Sequence, residues 1–231
     1  PYALVAEQIA WLAAAYPGCV GAGFASGAVP VDFELAEVPF DEIRDRFKAA
    51  LPKVVAALRG EDPGPLGNDR AIRDCAREPI PMVAAAQSPA AVRRAARLGL
   101  GILYDSIQTI EATKRLSDIY DEAGGTGPKI LIRRLWIGPR PEAEMAAQMA
   151  HYRKYGTEAA QRNWGDRDSL VHGDTPEQAA EELAAQLRAG GCDTVNVRVH
   201  LKGLTPQQVD EQIALHATGF LPHFRSVWRA S

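Results

Sequence analysis

The chain is poor in cysteine: Cys19, Cys75 and Cys192 stand far apart, in no metal-ligand spacing. That pattern favours a reduced, cytoplasmic setting in which the thiols serve as small apolar residues. The five histidines are equally scattered, so no zinc motif forms. No run approaches the ~20 apolar residues of a membrane span, and no charged-then-apolar signal segment opens the sequence. Charge of one sign is lacking too. A net charge of -3 with mixed signs argues against nucleic acid as an obligate partner, though not against a local basic patch. Against these absences stand 231 residues, 46% hydrophobic and 24% charged, which predict one globular domain over residues 1–231 with a sizeable core.

The most informative segment runs from Ile80 to Gly99. A short apolar strand passes through Ala84, Ala85 and Ala86 into a helix whose N-cap is Ser88, with Pro89 at the first helical position. Small side chains let a ligand approach the backbone, while free amides and the helix dipole face an anion. The segment reads as a phosphate seat, although Ser-Pro also opens helices that bind nothing.

Along the chain, short strands alternate with amphipathic helices, the pattern that demands parallel strands joined by crossovers. The spacing predicts a helix from Tyr2 to about Tyr16, then a strand and glycine turn over Cys19–Gly23, and an irregular connection to Val38. A long helix to about Gly60 and a loop over Glu61–Glu78 follow. Further strands are expected in the 80s, at Gly101–Asp105, at Lys129–Gly138 and at Asp193–Leu201. Helices are expected over 106–123, 141–163, 175–188 and from Thr205 to about Phe224. About five parallel strands result, with no low-complexity linker. Periodicity alone admits both a doubly wound sheet and an eight-stranded barrel.

Four motifs taken together resemble the bacterial luciferase-like monooxygenase family nearly end to end. They are Val20–Phe24, Val38–Phe47, Gln87–Gly99 and Gly173–Leu183. The resemblance implies an α/β fold of the TIM-barrel type, parallel strands alternating with helices, with FMN or the deazaflavin coenzyme F-420 at the carboxyl ends of the strands. It also implies a flavin-dependent oxidoreductase: either oxygenation of a small organic substrate by reduced FMN and oxygen, or deazaflavin-dependent hydride transfer. A separate flavin reductase and a homodimer are the implied protein partners. The Tyr2–Tyr16 helix matches the barrel's third crossover helix, so the barrel is expected to be incomplete at its N-terminus, lacking about three strands and two helices. Those strands carry the wall under the flavin ring in the family, and a five-stranded piece would leave two open edges. The alternative is a non-catalytic flavin-binding protein or an incomplete barrel subunit.

Carried over residue by residue, the resemblance makes Gly21 and Gly23 the glycine pair that lets backbone pass close to the cofactor, and Ala85, Ala86, Gln87 and Ser88 the phosphate seat. A simple glycine turn explains the first pair equally well. Tyr104 and Asp105 end the next strand at the catalytic face of any such barrel, yet Asp105 equally suits a helix cap.

The last strand gives a sign independent of the family, because Val195, Val197 and Val199 alternate with Asn196, Arg198 and His200. One apolar and one polar face suit a barrel strand, which packs outward on helices and points inward to the lumen. His200, nearest the carboxyl end, is the catalytic candidate, as a proton donor or a holder of a substrate oxygen near the flavin. A structural histidine bonded to backbone is the other reading. Arg133, Arg134 and Trp136 pose the same choice on the preceding strand. Arg93, Arg94 and Arg97 read as a solvated helix face. His151, Tyr152, Tyr155 and Trp164 suit either a lid or packing between helices.

Overall fold

The computed structural model describes residues 1–156, 158–165 and 168–229, with only the main chain of Tyr155, Ala159 and Ala160. Among the described residues six strands form one parallel array: β1 (Ala22–Phe24), β2 (Met82–Ala85), β3 (Gly101–Leu103), β4 (Lys129–Ile137), β5 (Val171–Gly173) and β6 (Thr194–Arg198). Pairing runs β1-β2-β3-β4, and β4 is shared. Residues 130–134 of β4 pair with β6, and its end, Leu135–Ile137, pairs with β5. Among the described residues β1 pairs only with β2 and β6 only with β4, so the array does not close into a barrel.

Among the described residues eleven α-helices lie along this array. The first four are α1 (Tyr2–Ala15), α2 (Pro30–Leu35), α3 (Ile43–Arg59) and α4 (Arg70–Arg77). Next come α5 (Pro89–Arg97), α6 (Ile110–Glu122), α7 (Glu142–Tyr155) and α8 (Glu158–Gln161). The last three are α9 (Pro176–Gly190), α10 (Pro206–Leu215) and α11 (Leu221–Arg229). Local chemistry starts them. Ser88, Thr109, Thr175 and Thr205 each accept a first-turn amide with the side-chain oxygen, and Thr205 forms a reciprocal capping box with Gln208.

Several boundaries differ from expectation. The two stretches read as irregular hold α2 and α4. The segment Arg70–Arg77 is half charged, with Ala71, Ile72, Cys75 and Ala76 on one helical face, a period only two turns long, and Asp69 caps it through the Ile72 amide at 2.9 Å. The helix expected from Ser106 starts at Ile110, because Asp105 accepts from the Ile107 amide (3.0 Å) in a turn and Thr109 takes the capping role. The segment 141–163 breaks after Tyr155. Gly23 sits inside β1 with no positive φ, so the expected glycine turn is absent. β5 was not expected; its Gly173 is required because a Cβ there would strike the Ala179 amide of α9.

Strand alternation sorts the side chains into two faces. Met82, Ala84, Ile102, Tyr104, Leu131 and Leu135 enter the main core under the helices, with Leu58, Leu116 and Leu183 buried opposite. Each such leucine contributes about 2 kcal/mol. The other face carries Gly23, Val83, Ala85, Ile132, Arg134, Trp136, Asn196 and Arg198. A second, smaller cluster forms there where α7 folds over the end of β4: Trp136, Met145 and Met149 with Ile107, Leu170 and Leu201. As expected from the last strand, Val195 and Val197 pack on the core while Asn196 and Arg198 are exposed.

Candidate functional site

The open face of β1 and β2 is built from small residues. Gly23 is exposed and pairs with Val83, and Ala85 follows Val83 on the same face, half-buried. Gly23 has an ordinary extended backbone, and a Cβ there would meet only Val83 Cγ2 at 3.7 Å. Neither conformation nor internal packing demands glycine at this position. What its absent side chain provides is bare backbone on the open face. Gly21 differs, since its Cβ would press on the Pro81 carbonyl at 3.2 Å, so packing accounts for it. Ala86 turns away and is 1% exposed within the core. Any contact it makes with a ligand runs through its main chain.

At the end of this strip the chain enters α5. Ser88 is exposed, and its hydroxyl accepts from the Ala91 amide at 3.4 Å; Pro89 has no N–H, so the Ala90 amide is the first-turn donor of α5 left without an intrahelical acceptor. Gln87 is half-buried and reaches sideways: its Nε2 donates to Asp105 Oδ2 at 3.3 Å. The residues present therefore fit a flat ring lying on small residues with an anionic tail at a helix N-terminus.

Asp105 is the centre of a network that sequence reasoning missed. Its Oδ2 also accepts the indole N–H of Trp164 at 2.9 Å. Beside it, Asn163 donates to the Gln87 carbonyl at 2.9 Å, accepts from Arg115 at 3.2 Å, and receives the Thr109 amide on its carbonyl at 3.0 Å. Residues 163–164 are thereby pinned across the carboxyl ends of β2 and β3. Trp164 and Tyr152 both pack against the second cluster, in keeping with the packing alternative. His151 is exposed, and the Tyr155 side chain lies outside the described residues. No periodic pattern marks such a network, whose members come from four separate segments.

Tyr104 does not belong to this face. It is fully buried toward α6, where its hydroxyl bonds Ser117 Oγ at 2.8 Å, and burial pushes its phenol far above the ordinary range. The neighbouring arginines also separate by alternation. Arg133 faces the helix layer at 1% exposure. It donates to Gln186 Oε1 (3.0 Å) and to the carbonyls of Ile132 (2.9 Å) and Gln108 (2.9 Å). Burial lowers its pKa to about 10, so it stays charged at neutral pH as a structural cation. Arg134 faces the open side, bonded to Ser106 Oγ (3.4 Å), the Tyr152 hydroxyl and the His200 carbonyl (3.3 Å). His200 itself lies two residues beyond β6 with its side chain exposed. It stands apart from Gly23 and Ala85, since β3 and β4 intervene in the pairing order. Arg93 and Arg97 are exposed on α5, as a solvated face should be, while Arg94 is half-buried.

No curated protein sequence matches the chain. Among solved structures, the monooxygenase RslO1 from Streptomyces bottropensis superposes with a TM-score of 0.71 at 20% identity, covering 96% of this chain and 74% of that one. EDTA monooxygenase (EmoA) from Chelativorans sp. BNC1 gives a TM-score of 0.62 at 15% identity, covering 98% and 70%. Apo-MsnO8 gives 0.59 at 18% identity, covering 95% and 73%. These likenesses show the fold. The luciferase-like monooxygenase family description matches residues 2–221, and the chain belongs to that family.

Proposed function

We propose that the chain binds FMN and serves as a flavin-dependent oxidoreductase that oxygenates a small organic substrate, with reduced flavin supplied by a separate reductase. The observation that carries this reading is the open strip Gly23–Val83–Ala85 leading to the capped N-terminus of α5. Bound there, reduced FMN would supply the reducing equivalents that let oxygen react with the substrate. The chain's own residues do the rest. Gly23 and Ala85 give the ring a flat apolar seat, and the amides of Gln87 and Ser88 hold the phosphate. The Asp105–Trp164 contact roofs the ends of β2 and β3 and excludes water from them. His200, exposed at the far edge, holds or protonates a substrate oxygen. Gly21 and Ala86 support the strip through the main chain alone.

The test is a titration of the chain with FMN and, separately, with coenzyme F-420, following cofactor absorbance and fluorescence. Saturable FMN binding supports the proposal, and oxygen uptake with reduced FMN then separates an enzyme from a flavin-binding protein without turnover. A flavin-binding protein without turnover is the second reading. Binding of F-420 alone redirects the reading to hydride transfer, and binding of neither overturns it.

A further inference from the structure

The pairing of β3 with β4 ends at Leu103 and Ile130, although β4 continues to Ile137. The turn from Asp105 to Thr109 therefore leaves the ladder beside β4, and two consecutive side chains of β4 take hold of it. Arg133, on the helix side, donates from Nη2 to the Gln108 carbonyl at 2.9 Å and from Nη1 to the Ser106 carbonyl at 3.5 Å. Arg134, on the open side, donates to Ser106 Oγ at 3.4 Å. Strand alternation thus closes one turn between two guanidinium groups.

The turn holds other segments in its place. Gln108 forms an antiparallel bridge with Trp164, and the Thr109 amide donates to the Asn163 carbonyl at 3.0 Å. Asp105, at the start of the turn, accepts from the Trp164 indole and from Gln87, next to the capped start of α5. From behind, Arg133 is itself fixed to α9, where its Nε donates to Gln186 Oε1 at 3.0 Å. One chain of contacts therefore runs from α9 through Arg133 and the turn to residues 163–164 and to Gln87. Arg133 is 1% exposed, so solvent does not reach these bonds.

We infer that Arg133 is a positioning residue: its guanidinium fork fixes the turn 105–109 and so sets where Asp105 holds Trp164 and Gln87 at the carboxyl ends of β2 and β3. The shape of the fork, not the charge, does this. A lysine would keep the charge but bring a single nitrogen to acceptors that lie on two sides. That the groups so placed serve a cofactor rests on the flavin reading above. The placement does not.

The test uses the chain labelled with fluorotryptophan, whose four tryptophans should give separate fluorine resonances. Trp164→Phe identifies the Trp164 resonance, and Asp105→Ala shows where it falls without its acceptor. In Arg133→Lys this resonance should move toward its position in Asp105→Ala, and FMN should bind about tenfold more weakly. Gln186→Ala removes the tether behind Arg133 from a half-buried position, and should move the resonance the same way by less. Tyr120→Phe controls for simple loosening, because it removes bonds to the Leu100 carbonyl and the Gly127 amide at the amino end of β3. It should lower the thermal midpoint and leave the Trp164 resonance in place. A resonance that stays put in folded Arg133→Lys, or in Gln186→Ala where the lysine variant does not fold, overturns the assignment. An equal shift in Tyr120→Phe overturns it too. A parent chain that binds no FMN, with the Trp164 resonance still moved by Arg133→Lys, keeps the positioning role and loses the flavin reading. Unchanged FMN affinity beside a moved resonance keeps the placement and removes Asp105 and Trp164 from the cofactor seat.

Discussion

Trp164 donates its indole N–H to Asp105 at 2.9 Å, joining the segment after α8 to the carboxyl end of β3. The same carboxylate accepts from Gln87 Nε2 and from the Ile107 amide, so one side chain ties three segments together. Asp105→Ala removes all three hydrogen bonds and strands the indole donor in a partly buried position. A loss of about 2 kcal/mol in urea unfolding is expected. The cut rate of a protease acting near residues 158–165 should rise with it, because those residues depend on this contact and on Asn163 for their anchorage. A variant as stable and as resistant as the parent would show that the contact carries no energy.

Gly23 offers a cleaner test of the cofactor seat than any charged residue. Its φ is not positive, and a Cβ would meet only ordinary van der Waals contact, so the fold tolerates a side chain there. Gly23→Leu should leave the thermal midpoint unchanged or slightly raised, since leucine costs less backbone entropy than glycine in a strand. The same side chain would stand where a flat ring is to lie, and FMN affinity should fall by about tenfold or more, equivalent to at least about 1.4 kcal/mol. Unchanged FMN affinity in a folded variant would remove Gly23 from the seat.

The features that proved legible in the sequence are those encoded over a few neighbouring residues. Ser88, Thr175 and Thr205 announce helices because the capping oxygen and the amide it serves are three residues apart. The two-faced character of β6 was legible for the same reason, each valine being separated from the next by one polar residue. β5 was not, because Val171–Gly173 is too short for a period to register. Alternation guarantees that Arg133 and Arg134 face opposite ways, but only the burial of Leu131 and Leu135 beneath the helices says which of them is inside. The Gln87–Asp105–Asn163–Trp164 network lay beyond reach altogether, since its partners meet only through the fold.

Gln212 illustrates how a side chain can stand in for a strand. Its amide oxygen accepts from the Ile137 N–H at 3.0 Å, and its Nε2 donates to the Ile137 carbonyl at 2.8 Å, both buried. The last residue of β4 is thereby satisfied by α10. Gln212→Leu keeps the volume but leaves two buried backbone groups unpaired, and a loss of about 3 kcal/mol in chemical denaturation is expected. A loss below about 1 kcal/mol would mean that water replaces the amide at both positions.

His216 links stability to pH. Its Nδ1 lies 2.6 Å from the Gln212 carbonyl, which fixes the proton on that nitrogen in the neutral ring, while Nε2 is buried beside Phe220 without a partner among the described residues. Burial lowers its pKa from the ordinary 6.5, outweighing the carbonyl's opposing pull. Well above that value the ring is neutral in both the folded and the unfolded chain, and the packing around it is fully effective. As pH falls below 6.5 the unfolded chain takes up the proton first, so folding stability declines toward the lower, folded-state pKa. Thermal midpoints measured from about pH 7.5 to about 5.5 should therefore fall less steeply in His216→Gln than in the parent chain, because the variant has nothing at that position to protonate in this range. Parallel slopes would mean that the buried ring accepts its second proton as readily as a solvated one, which an unpartnered Nε2 in an apolar pocket should not do.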